Sequence, residues 1–123
     1  MDKYERLMEI FSDALKESRD YHIAYIHGIG YASVIGLYQK GEKLNTSMQI
    51  DEIFYSPQEM AGSLLQNWRW QWYYQNRKYM QGKDYVDISE LDCDIPEDLR
   101  EKYNKCMQSL QNKIRSILHA NGD

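Results

Sequence analysis

Five residues stand close enough in type and spacing to act together: Arg69, Trp70, Tyr73, Tyr74 and Arg77. A helix advances about 100° per residue. Trp70, Tyr73, Tyr74 and Arg77 therefore fall along one side of a helix, with Arg69 at its margin. Aromatic rings and guanidinium groups at spacings of three and four match the composition of protein-interface hot spots. The same set also suits a base or nucleotide, with Trp70 and Tyr74 stacking the ring while Arg69, Arg77 and Lys78 hold phosphate. Residues 66–83 carry four positive charges (Arg69, Arg77, Lys78, Lys83) and no negative one. The plainest reading is a helix buried on both sides, with a sheet on one and another helix on the other.

Other residue types that carry chemistry are not arranged for it. His22, His27 and His119 lack metal-ligand spacing, and on a strand the first two point to opposite faces, so no metal is expected. Gly28-Ile29-Gly30 lacks the third glycine or the Lys-Ser/Thr of a phosphate loop. Ser12, Ser33 and Ser63 sit in no nucleophile elbow. From Asp84 to Glu101 there are eight carboxylates against Arg100 alone. This run lacks the ligand ladder of a calcium loop. It reads as a solvated loop with favourable charge at a helix start, or as a negative patch for a basic partner. No catalytic constellation and no cofactor motif emerges, so a non-enzymatic protein is expected.

The elements that must position these residues follow from periodicity. Residues 2–19 repeat apolar side chains at Tyr4, Leu7, Met8, Phe11, Ala14 and Leu15, an amphipathic helix of about five turns. Residues 21–38 are rich in Ile, Val and Tyr with three glycines. They predict a hairpin pairing His22–Ile26 with Ile29–Tyr38 around His27-Gly28. The alternative is a helix, with Gly28, Ala32 and Gly36 forming a small-residue stripe. Met48–Tyr55 predicts a third strand with Met48, Ile50 and Phe54 on one side.

Ser56-Pro57-Gln58-Glu59 is a capping box, the Ser56 oxygen taking the Glu59 amide and the Glu59 carboxylate returning to the Ser56 amide. The helix it starts is expected to run to about Met80 and stop at Gly82. Ala61, Leu64, Leu65, Trp68, Trp72 and Tyr79 form its core side. Asp94-Ile95-Pro96-Glu97 repeats the capping-box pattern ahead of a last helix, whose apolar face includes Leu99, Tyr103, Cys106, Leu110 and Ile114.

The expected fold is thus α+β, with an N-terminal helix, a short antiparallel three-stranded meander, then two amphipathic helices. An all-α four-helix bundle is the alternative. At 123 residues this is a single domain, 1–123. A composition of 42% hydrophobic and 28% charged residues is that of a folded chain. A formal charge of −4 argues against a general nucleic-acid binder. Charges in MDKYERLMEIF and free thiols at Cys93 and Cys106 point to a cytoplasmic, reducing setting. Tyr21–Tyr38 is uncharged but too rich in Gly, His and Tyr to span a membrane. The expected function is protein binding through the aromatic helix face, as a homodimer or as an inhibitor or adaptor of another protein. The small acidic composition also suits an inhibitor or adaptor encoded by a phage or mobile element. Nucleotide or single-stranded nucleic-acid binding is the alternative.

Overall fold

A computed structural model describes residues 1–36, 48–76 and 95–120. The elements are α1 (Lys3–Ile10), α2 (Ser12–Glu17), β1 (Tyr21–Ile26), β2 (Gly30–Ile35), β3 (Gln49–Ile53), α3 (Pro57–Asn76) and α4 (Glu97–Leu118). The chain is therefore α+β, with an antiparallel sheet in the order β1-β2-β3 between the N-terminal helices and two long ones.

The N-terminal helix starts where a side chain satisfies its first amides, Asp2 accepting from Glu5 N–H at 2.8 Å. The single helix expected over residues 2–19 is broken at Phe11, and Leu15 N–H resumes the helical pattern by donating to Phe11 O at 3.0 Å. Neither Gly nor Pro marks this break, so tertiary structure sets it: Phe11 is buried in the main core.

Residues 21–35 fold as the hairpin and not as a helix. The connection is the three-residue loop His27–Ile29, closed by Ile29 N–H donating to Ile26 O at 2.9 Å, with Gly28 at φ 81°. Gly36 adopts φ 140°, and a Cβ there would stand 2.8 Å from Met48 Cα. Only glycine lets the two chain segments approach so closely.

One side of the sheet faces the helices. Tyr21, Ile23 and Tyr31 pack onto a core of Leu7, Phe11, Phe54, Met60, Ala61, Leu64 and Ile117. Tyr31 also stacks on Tyr4 of α1 at 5.0 Å. The expected core residues Leu15, Leu65, Trp68, Leu110 and Ile114 lie against this cluster, partly buried. Ala24, Ile26 and Val34 alternate onto the opposite side of the sheet.

The third strand departs from regular alternation. Glu52 pairs with Ser33 and Ile50 with Val34, which leaves Asp51 as an extra residue, a β-bulge. The expected side of Met48, Ile50 and Phe54 is split by it: Phe54 is buried while Ile50 is 52% exposed.

Ser33 is fully buried, and its hydroxyl has no hydrogen-bond partner among the described residues. A buried polar atom without a partner is destabilising. Ser33→Ala is expected to raise stability by about 1 kcal/mol, read from the urea midpoint. A midpoint at or below that of the wild type would mean that this hydroxyl is satisfied in solution.

The last helix runs antiparallel to α3, as Leu65 faces Ile114 and Leu118 near one end while Trp72 meets Tyr103 near the other. Lys3 Nζ donates to Leu118 O at 3.2 Å, placing a cation at the negative end of α4. The N-cap of α4 is Pro96, and the expected capping residue of the second box, Asp94, lies outside the described residues. Cys106 is exposed, not buried as the spacing suggested. It sits at the margin of the α4 stripe, whose buried members are Tyr103 and Ile117.

Candidate functional site

The start of α3 follows its sequence signal with one change of partner. Ser56 Oγ accepts from Glu59 N–H at 3.3 Å. The Glu59 carboxylate accepts from Tyr55 N–H at 2.7 Å, one residue earlier than the expected Ser56 amide. The described helix ends at Asn76, so its expected continuation to Met80, and with it Arg77, lies outside the described residues.

Two apolar clusters flank this helix. Its first half, with Met60, Ala61 and Leu64, belongs to the main core. Its second half meets the start of α4 in a cluster of Trp72, Tyr73, Ile95 and Tyr103. Trp68 stacks on Tyr103 at 5.6 Å, and Trp72 meets the same ring edge-on at 4.7 Å.

The five candidate residues separate accordingly. Tyr73 is 2% exposed, a member of the second cluster and not a surface residue. In that cluster it lies with Trp72 and with Ile95 and Tyr103 at the start of α4. Arg69 turns the same way, its Nε donating to the Tyr103 hydroxyl at 3.2 Å. Trp70 and Tyr74 remain together: their rings stack at 5.9 Å and 22°, and Tyr74 is 57% exposed. The structure thus brings Trp70 and Tyr74 into one surface and takes Tyr73 and Arg69 into the α3–α4 contact.

Trp70 and Tyr74 both line a cavity of about 310 Å³ between α3 and the sheet. A stripe at helical spacing forms the helix side: Ser63, Gln66, Asn67, Trp70, Gln71 and Tyr74. Across from it stand Tyr21, Ile35, Asp51 and Glu52, with Asp20 just before β1. Successive strand residues ordinarily point to opposite faces. The bulge allows both Asp51 and Glu52 to line the same cavity.

Electrostatically the cavity has one sign. Among the described residues three carboxylates line it, and no Lys, Arg or His does. Among the described residues none of the three forms an ion pair. The Tyr21 hydroxyl, hydrogen-bonded to Ser63 Oγ at 2.5 Å, reports the same field. Its pKa is pushed up to about 12, first by burial and further by the Glu52 and Asp51 charges, against the opposing Ser63 hydrogen bond.

Asn67 is only 7% exposed, and its orientation is fixed by a hydrogen-bond chain. The Ser18 hydroxyl donates to Ala14 O at 2.6 Å, so its oxygen can only accept, and Asn67 Nδ2 donates to it at 2.9 Å. That leaves Asn67 Oδ1 as the free end of the amide, without a donor among the described residues.

Sequence reasoning missed Asp20, Tyr21, Asp51, Glu52 and Asn67 as site residues. One available signal was the amide-rich stripe Ser63, Gln66, Asn67, Gln71 leading into Trp70 and Tyr74, where a core stripe would be apolar. The acidic run from Asp84, which drew attention instead, lies outside the described residues up to Asp94. No metal-binding group of His, Cys, Asp and Glu occurs among the described residues, and no described helix is long and apolar enough to cross a membrane.

Comparison of the chain with protein-family models, with curated proteins and with solved structures gave no match.

Proposed function

We propose that this protein is a non-enzymatic interaction module that docks another protein, or a second copy of itself, through the Trp70–Tyr74 flank of α3. The observation that carries the reading is the stacked ring pair, one ring largely in solvent, lining a cavity. Large aromatic side chains that stay rigid while exposed are the usual anchors of interfaces. An inhibitor or adaptor, of the sort encoded by phages and mobile elements, fits the small acidic chain. The nucleotide reading is less well supported. Phosphate beside Trp70 would meet the Asp51 and Glu52 carboxylates, and Arg69 is engaged with Tyr103.

The test is a pair of variants. Light scattering on the wild type across a concentration series reads self-association, and affinity capture followed by mass spectrometry identifies a heterologous partner. Tyr74→Ala and Trp70→Ala/Tyr74→Ala are expected to weaken the complex by at least about thirtyfold, a typical effect for a hot spot of 2 kcal/mol or more. Tyr74→Ala acts on an exposed side chain, so its circular dichroism is expected to match the wild type. A folded Tyr74→Ala protein that binds as tightly as the wild type would refute the assignment.

A further inference from the structure

We propose that the cavity between α3 and the sheet is a receptor for an arginine side chain of the docked partner. The proposal deepens the interaction reading above and rests on it. Three independent features point to the same chemistry.

The first is charge. Asp20, Asp51 and Glu52 line the cavity, and no cationic side chain among the described residues does. A cationic group entering it would gain charge-assisted hydrogen bonds to several carboxylates at once. The second is the wall. Trp70 and Tyr74 both line the cavity, and a planar guanidinium is attracted to an aromatic ring face when held within about 6 Å. The third is Asn67, a residue more than nine-tenths buried whose amide N–H is taken by Ser18 and whose Oδ1 is an acceptor without a donor among the described residues.

Carboxylates, an amide oxygen and aromatic faces all select for N–H donors carrying positive charge. Guanidinium meets every demand at once, with five donors in a fixed plane and a face that stacks. Ammonium is a compact point charge and uses the carboxylates but not the flat wall as well. A cavity of about 310 Å³ is at the small end of ligand sites, enough for one long side chain and not for a nucleotide with its phosphates. Arginine is also enriched at protein interfaces, where Lys is depleted.

The experiment uses the full chain and a peptide of five residues, Gly-Gly-Arg-Gly-Gly, blocked at both ends. The Trp70 indole N–H signal, assigned from Trp70→Phe, is followed by NMR. The peptide is expected to shift that signal with a Kd on the order of 1 mM, and about fivefold more weakly when salt is raised from 50 to 500 mM. The same peptide with citrulline, which keeps the shape and lacks the charge, is expected not to bind. Asp51→Asn and Glu52→Gln alter exposed strand residues and are each expected to weaken binding by about tenfold while the protein stays folded.

Equal binding of the citrulline peptide, or unchanged affinity in both variants, would overturn the proposal. So would a lysine peptide that binds better than the arginine one. Agmatine, a free guanidino compound, tests the source of the group: agmatine binding while the blocked peptide does not would overturn a partner's side chain as the occupant. Absence of peptide binding together with loss of the complex in Tyr74→Ala would remove the arginine receptor and leave the docking surface intact. The two readings therefore fail separately.

Discussion

Tyr103→Ala is expected to lower the unfolding free energy by about 3–5 kcal/mol, the range for removing a fully buried aromatic ring. Tyr103 is 1% exposed and is the shared neighbour of Trp68 and Trp72, stacked on one and edge-on to the other. Its hydroxyl accepts from Arg69 Nε. The truncation would leave a cavity between α3 and α4 and an arginine without that acceptor. Tyr103→Phe keeps the ring and is expected to lose only about 1 kcal/mol. A domain of this size has roughly 5–15 kcal/mol in total, so the first variant approaches the unfolding threshold at body temperature while the second does not. Urea titrations followed by circular dichroism and tryptophan fluorescence distinguish them. A loss below about 1 kcal/mol in Tyr103→Ala would show that the second cluster contributes little to the fold.

Alkaline pH is expected to destabilise the protein by on the order of 1–2 kcal/mol through Tyr21 alone. Its phenol is held neutral in the folded state, with a pKa pushed up to about 12 by burial first and by Glu52 and Asp51 next. In the unfolded chain it titrates near 10. Between those values the unfolded state has lost the proton and the folded state retains it, so stability falls as pH rises. The contribution is complete below about pH 10 and disappears by about pH 12. The phenol keeps some contact with water, which holds the figure below the full value of the shift. Tyr4 and Tyr31 move in the same direction, chiefly through burial, and add to the slope. Urea midpoints between pH 8.5 and 11.5 for wild type and Tyr21→Phe measure the effect, and the variant should show the flatter profile. Parallel profiles would assign the alkaline loss to other groups.

The fold was largely legible in the sequence because its signals were local. The stripe of α4 and the Ser56-Pro57-Gln58-Glu59 start of α3 name their elements through spacing and capping alone. The hairpin was decided by β-branched residues and the unfavourable energy of glycine within a helix. Features that depend on a distant neighbour were not legible. The break at Phe11 follows from where its ring packs, and Tyr73 is buried in a cluster with Ile95 and Tyr103 at the start of α4. The cavity was hidden for a similar reason. It joins Asp20, the Asp51-Glu52 pair and residues 63–74, three stretches whose proximity only the tertiary fold creates. The proximity of Trp70 and Tyr74 was legible because their four-residue spacing is visible on one helix; Tyr73, one position away, was grouped with them by the same arithmetic.

The bulge in β3 gives the cavity an unusual independence from the sheet that holds it. Because Asp51 has no partner on β2, the pairs on either side, Glu52 with Ser33 and Ile50 with Val34, stay in step without it. A one-residue change inside a strand normally exchanges its two faces. Here the chain could lose Asp51 and keep both neighbours on their present sides. The number of negative charges lining the cavity is therefore a property that evolution can alter by whole units, one codon at a time, without renegotiating the fold.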